Sequence, residues 1–227
     1  MIQKKHAPES QELDQMVRST TEEEFPSHIH EVVSHNQLSV QSLVGWVTKF
    51  LEKPEPELWG KVNVLFDFLR PRIPSTISEP RIAVLTLRQN GVKELEVELH
   101  LRKAGYLVYQ WGAIERVEEV VDKKKTTPPD MVVVTAAEGE GNELLNLIIQ
   151  ELKGERMEVV LYKPEEGLGV EIVTGIVEVQ NLGELMERVV LQRQQVRQVA
   201  RNEVIDYRAD SQETNTQPDA GRSMVDK

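Results

Sequence analysis

The sequence predicts an α/β protein: a parallel sheet of five strands, preceded by a small helical module and followed by a long C-terminal helix. Two observations carry this. From Pro80 onward, short runs rich in β-branched residues alternate with segments of helical periodicity, the grammar of βαβ units with right-handed crossovers. The runs are apolar throughout rather than alternating, so each strand is buried on both faces. Before Pro80 the pattern is helical only.

The elements follow in order. Residues 1–25 are polar, with a Thr-Thr-Glu-Glu-Glu run at 20–24, and read as a flexible tail or a short frayed helix. Residues 26–75 read as a small helical module. Ile29, Val32 and Val33 suit one short helix. Ser39 is placed to cap a second, with Leu43, Val44, Val47, Phe50 and Leu51 at three- and four-residue steps. Pro54 and Pro56 separate it from a third carrying Leu58, Trp59, Val62, Leu65, Phe66 and Leu69, which Pro71 and Pro74 end. Two or three short helices bury little by themselves and need a neighbour.

Residues 80–192 form the predicted α/β domain. Its strands are Arg81–Leu87, Tyr106–Trp111, Met131–Thr135, Met157–Tyr162 and Ile176–Val179, with Ile172 and Val173 in a short element before the last. Helices are expected over 92–103, 114–124 and 142–153, and a closing helix from about Asn181. Leu182, Leu185, Met186, Val189, Val196, Val199, Ala200 and Val204 carry that helix past the end of the domain, so 193–208 reads as an extension. Residues 209–227 hold almost no large apolar side chain and read as a disordered tail.

Composition narrows the function. With 27 Lys and Arg against 38 Asp and Glu, the net charge is −11, which argues against nucleic acid and anionic membranes as partners. The absence of Cys removes disulfides, thiolate metal sites and Cys nucleophiles. No apolar run approaches the ~20 residues that span a bilayer, and the first residues lack an apolar leader core, so a cytoplasmic protein is expected.

Leu101-Arg-Lys-Ala-Gly-Tyr-Leu-Val, Pro129-Asp-Met-Val-Val-Val and Asn142-Glu-Leu-Leu are similar in layout to two families of flavodoxin-like fold. These are response-regulator receiver domains and cobalamin-binding domains of the methionine synthase type. A receiver would need an acidic pair after strand one, an Asp ending strand three and a Lys after strand five. Here strand one runs into Leu87-Arg-Gln-Asn, the acceptor position falls on Thr135, and Val177-Glu-Val-Gln180 holds no Lys. A cobalamin domain would carry Asp-x-His-x-x-Gly after strand one. Its His position falls near Asn90 and its Gly near Lys93, and Tyr162-Lys-Pro-Glu replaces a Gly-Gly after strand four. Trp111-Gly112-Ala113 and the preceding helical module do resemble that family.

A fold retained without its chemistry implies a non-catalytic regulatory or adaptor protein, a degenerate receiver-like or cobalamin-domain-like signalling component acting through protein contacts. No metal site, catalytic residue or cofactor is expected. The interaction residues would be Leu185, Val189, Arg193, Val196, Arg197, Val199 and Arg201 on the last helix, serving a protein partner, with a homodimer as one form. The three arginines at four-residue steps suit an acidic partner or the chain's own Glu22–Glu24. The alternative is a sensor binding a corrinoid or nucleotide at the C-terminal edge of the sheet, through Asn90, Gly91, Trp111, Gly112, Thr135, Gly139 and Gly141. Weaker candidates are His28, His30 and His35 as zinc ligands, and Lys163, Glu165 and Glu166 as an acid–base set.

Overall fold

A computed structural model describes residues 6–35, 38–87, 91–135, 142–152, 157–162 and 176–213. Four helices come first: α1 (His6–Ser19), α2 (Phe25–Ser34), α3 (Val40–Glu52) and α4 (Trp59–Leu69), with short 3-10 turns at Pro56–Leu58 and Arg70–Arg72. Ser39 caps α3, its hydroxyl accepting from the Ser42 N–H at 3.0 Å. Pro26 occupies the first turn of α2, where its missing N–H costs nothing.

Within the segment expected as a tail or a short frayed helix, residues 6–19 form α1. Leu13, Met16 and Val17 sit at i, i+3 and i+4 and form a narrow apolar stripe. Leu13 and Val17 are fully buried in one core with Phe25, Ile29, Leu43, Val62, Leu65, Phe66 and Leu69. Burying each such side chain is worth roughly 1.5–3 kcal/mol, enough to hold a polar helix whose intrinsic propensity would leave it frayed. The Lys61 ammonium, itself buried, donates to the Val17 carbonyl at 2.6 Å and satisfies one open acceptor at the C-terminal end of α1.

The α/β part follows as β1 (Ile77–Leu87), α5 (Gly91–Lys103), β2 (Tyr106–Ile114), α6 (Val117–Thr126), β3 (Met131–Thr135), α7 (Asn142–Leu152), β4 (Glu158–Tyr162), β5 (Val177–Val179) and α8 (Leu182–Glu213). All five strands are parallel in the order β2-β1-β3-β4-β5, the flavodoxin-like winding. Side chains alternate between two cores. Ala83, Leu85, Val132, Val134 and Leu161 face α6 and α7. Ile82, Val84, Met131, Val133 and Val160 face α5 and α8. Burial on both faces explains why these strands read as continuous apolar runs.

α5 joins the two parts. Val97 and Leu101 pack on the sheet, while Leu95 and Leu99 belong to the core of the helical module. A helix covered on opposite sides needs apolar residues on more than one face, which Val92, Leu95, Val97, Leu99 and Leu101 supply. The helical module is therefore built onto the sheet rather than tethered to it.

α8 begins with a reciprocal cap: the Asn181 side chain accepts from the Glu184 N–H at 2.9 Å, and the Glu184 carboxylate accepts from the Gln180 N–H at 2.7 Å. Its 32 residues span about 48 Å at 1.5 Å per residue. The boundary expected at 208 falls inside this helix. The expected element at 172–173 and residues 214–227 lie outside the described residues.

Candidate functional site

In a sheet wound this way the strand order reverses between β1 and β3, and the crevice beyond their C-terminal ends is where ligands bind. Thr86 and Thr135 face each other at this point. Both are buried, and their hydroxyls are spent on the backbone: Thr135 Oγ1 donates to the Leu85 carbonyl at 3.2 Å and Thr86 Oγ1 to the Thr135 carbonyl at 3.3 Å. Gly91 opens α5 beside them. A Cβ there would lie 3.0 Å from the Trp59 ring of α4, so a larger residue would need that ring to shift. Tyr162 ends β4, and its hydroxyl lies 3.5 Å from Glu96 of α5. Burial, and secondarily the Glu96 charge, push its ionisation well above the usual tyrosine range.

The remaining expected ligand residues are spread apart. Trp111 belongs to the core facing α6 and α7, with its Nε1–H donating to Thr127 Oγ1 at 3.1 Å. The reason is a register slip in β2: Val84 pairs with Gln110 but Leu85 with Gly112, leaving Trp111 as the extra residue. Gly112 has φ +72°, the left-handed conformation glycine allows. Asn90, Gly139 and Gly141 lie outside the described residues, as do Lys163, Glu165 and Glu166.

One charged cluster near this edge has no counterpart in the sequence expectations. Glu98 of α5 is fully buried and accepts from Arg70 at 2.8 and 3.2 Å and from Arg102 at 2.7 Å. Arg102 also donates to the Val108 carbonyl at 2.7 Å. One turn earlier, Glu94 accepts from Gln110 at 3.1 Å and from the Gly112 N–H. Burial pushes the Glu94 carboxyl above the ordinary carboxylate range, with Gln110 and Arg70 opposing the shift. The cluster pins Arg70 of the helical module to α5 and β2. Its only sequence signal was the i, i+4 series Glu94, Glu98, Arg102 on α5, since Arg70 lies 28 residues from Glu98.

On α8 the expected interaction residues divide. Leu185 and Val189 are fully buried against their own sheet, which corrects the expectation that they face a partner. Arg188 is spent on Glu158 at 2.8 Å, and Gln192 donates to the Asp130 carbonyl at 2.9 Å. Beyond Gln192 burial falls off along the helix. Arg193, Val196 and Val199 are half-buried and Arg197 is exposed. Val190 and Leu191 are 44% and 45% exposed, unusual for large apolar residues. The backbone at Arg201 continues the helix. Glu22, offered as a partner for these arginines, instead lies against Gly60 at the start of α4.

An open depression of about 760 Å³ lies elsewhere, between α1 and α3. Its floor holds Trp46 stacked on Phe50. At one end Arg18 bridges two carboxylates, Glu55 at 2.7 Å and Asp14 at 2.9 Å, and its hydrogen bonds hold both below the usual range. The three histidines are apart in their contacts: His28 meets Thr20, His30 stands edge-on to Phe68, and His35 meets the Glu31 carbonyl. Among the described residues no group of three or more His, Asp or Glu is placed to hold a metal ion, and no helix is long and apolar enough to cross a membrane.

No protein-family model and no curated protein matches the chain. A solved structure that resembles it is the crystal structure of the response regulator PhyR from Brucella abortus. The similarity covers 87% of this chain and 96% of that one at 14% identity and a TM-score of 0.39.

Proposed function

We propose that the chain is a non-catalytic regulatory or adaptor protein that acts through protein contacts made by the projecting half of α8. The observation that carries this is the length of the helix. Among the described residues the last hydrogen bond from this helix to the sheet is that of Gln192 to Asp130, yet the backbone stays helical to Glu213. Some 21 residues, about 30 Å, extend beyond that anchor. An isolated helix of this length is marginal in water, so a partner surface supplies what the sheet does not. The positions at the sheet edge fit the same reading, because the Thr86 and Thr135 hydroxyls are engaged in holding strands together rather than facing a crevice.

A chain ending after Gln192 keeps Leu185, Val189 and the Asp130 contact, and tests the proposal. By sedimentation velocity the full chain should associate with itself or with its partner, and the shortened chain should sediment as a folded monomer. Unchanged association of the shortened chain would overturn the proposal.

A further inference from the structure

We propose that the groove between α1 and α3 is the receptor for the tip of α8 from a second copy of the chain, so that two copies exchange their C-terminal helices. This rests on the proposed role of the projecting half of α8 and names its partner.

The groove is bounded on the α3 side by Lys49 and Lys53, both exposed, at i and i+4. Neither forms a salt bridge among the described residues, and Lys53 contributes only a through-space effect on Glu55. The two carboxylates in the groove are both bound by Arg18. Three cations thus stand against two acids, a locally positive rim on a chain of net charge −11. Beneath the lysines, Trp46 and Phe50 supply an apolar floor.

The tip of α8 has the matching pattern in its sequence. Glu203, Asp206, Asp210 and Glu213 recur at i, i+3, i+7 and i+10, one acidic stripe on a helix. Ala200, Val204 and Tyr207, at i, i+4 and i+7, form an apolar stripe beside it. Only Arg208 offsets the acids between 203 and 213. Asp206 and Asp210 repeat at the four-residue step of Lys49 and Lys53, so an acidic edge beside an apolar edge meets a basic edge beside an aromatic floor. Exchange between two copies is reciprocal and closes as a pair.

The test is charge reversal in the full-length chain. Lys49→Glu with Lys53→Glu should weaken self-association at least about tenfold in sedimentation velocity, and Asp206→Lys with Asp210→Lys should do the same. Mixing the two variants should restore a dimer, because in the mixed pair each groove meets a tip of opposite charge. Lys49 and Lys53 are exposed, and circular dichroism checks that folding is kept in every variant. Trp46 fluorescence in a Trp59→Phe, Trp111→Phe background gives a second readout, expected to change with concentration only in the parent. Undiminished association of either variant, or no recovery on mixing, overturns the exchange. A chain ending after Gln192 that is monomeric while the lysine variant still dimerises would leave α8 as the contact but refute the groove. A shortened chain that still dimerises would remove the underlying proposal as well.

Discussion

Leu99 tests whether the helical module and the sheet are one cooperative unit. It lies on α5, between the strands and the module, and is 2% exposed within the module's core. Leu99→Ala removes a buried isobutyl group where the surroundings, held by the Arg70–Glu98 pair, cannot easily collapse. The expected cost is about 3 kcal/mol, inside the range for buried Leu→Ala changes. With a urea slope near the upper end for single domains, about 3 kcal/mol per M, the midpoint should fall by about 1 M. Two single-tryptophan proteins report the two parts. Trp46 alone follows the module, and Trp111 alone follows the core facing α6 and α7. Both transitions should coincide before the substitution and fall together after it. A Trp46 transition that drops while the Trp111 transition stays would refute the single-unit argument.

Two further expectations follow from the same structure. Because burial raises the Glu94 carboxyl in the folded protein, the folded state holds its proton where the unfolded chain has lost it. Its contribution to stability is therefore full below the unfolded value near ~4.3 and is lost as pH rises through the raised folded value. Glu94→Gln keeps an acceptor for Gln110 and should flatten the loss of stability as pH rises above about 4.3, measured by urea unfolding; Glu158, also raised by burial, stays in both proteins. An unaltered pH slope would show that Glu94 is not the titrating group. Gly112→Ala, at φ +72° in open space, should cost about 1–2 kcal/mol from backbone conformation alone, whereas Gly105→Ala at φ +90° also drives a Cβ to 2.6 Å from Thr76 Oγ1 and should cost more. Equal thermal shifts for the two would contradict that account.

The sheet was legible because fully buried parallel strands leave unbroken runs such as Met131–Thr135, with Gly105 marking the end of a helix. α1 was not, because three large apolar residues among fourteen look like a tail until α3 is there to receive them. The same misreading hid the groove, half of whose wall is α1. Trp111 looked available for a ligand because the bulge that turns it into the core carries no signal beyond Gly112. Leu185 and Val189 fit a heptad seam and a sheet-covering stripe equally well, since both need apolar residues at three- and four-residue steps; only the packing decided between them. The Arg70–Glu98–Arg102 cluster depends on a tertiary approach that local spacing does not encode.

The most direct test of an interaction role against a small-molecule role is native mass spectrometry of the full chain purified gently from its own host. The account predicts a mass of two bare chains, or of the chain with another protein. A chain carrying a corrinoid, a nucleotide or another small molecule in stoichiometric amount would contradict it and make the crevice beyond β1 and β3 the working site.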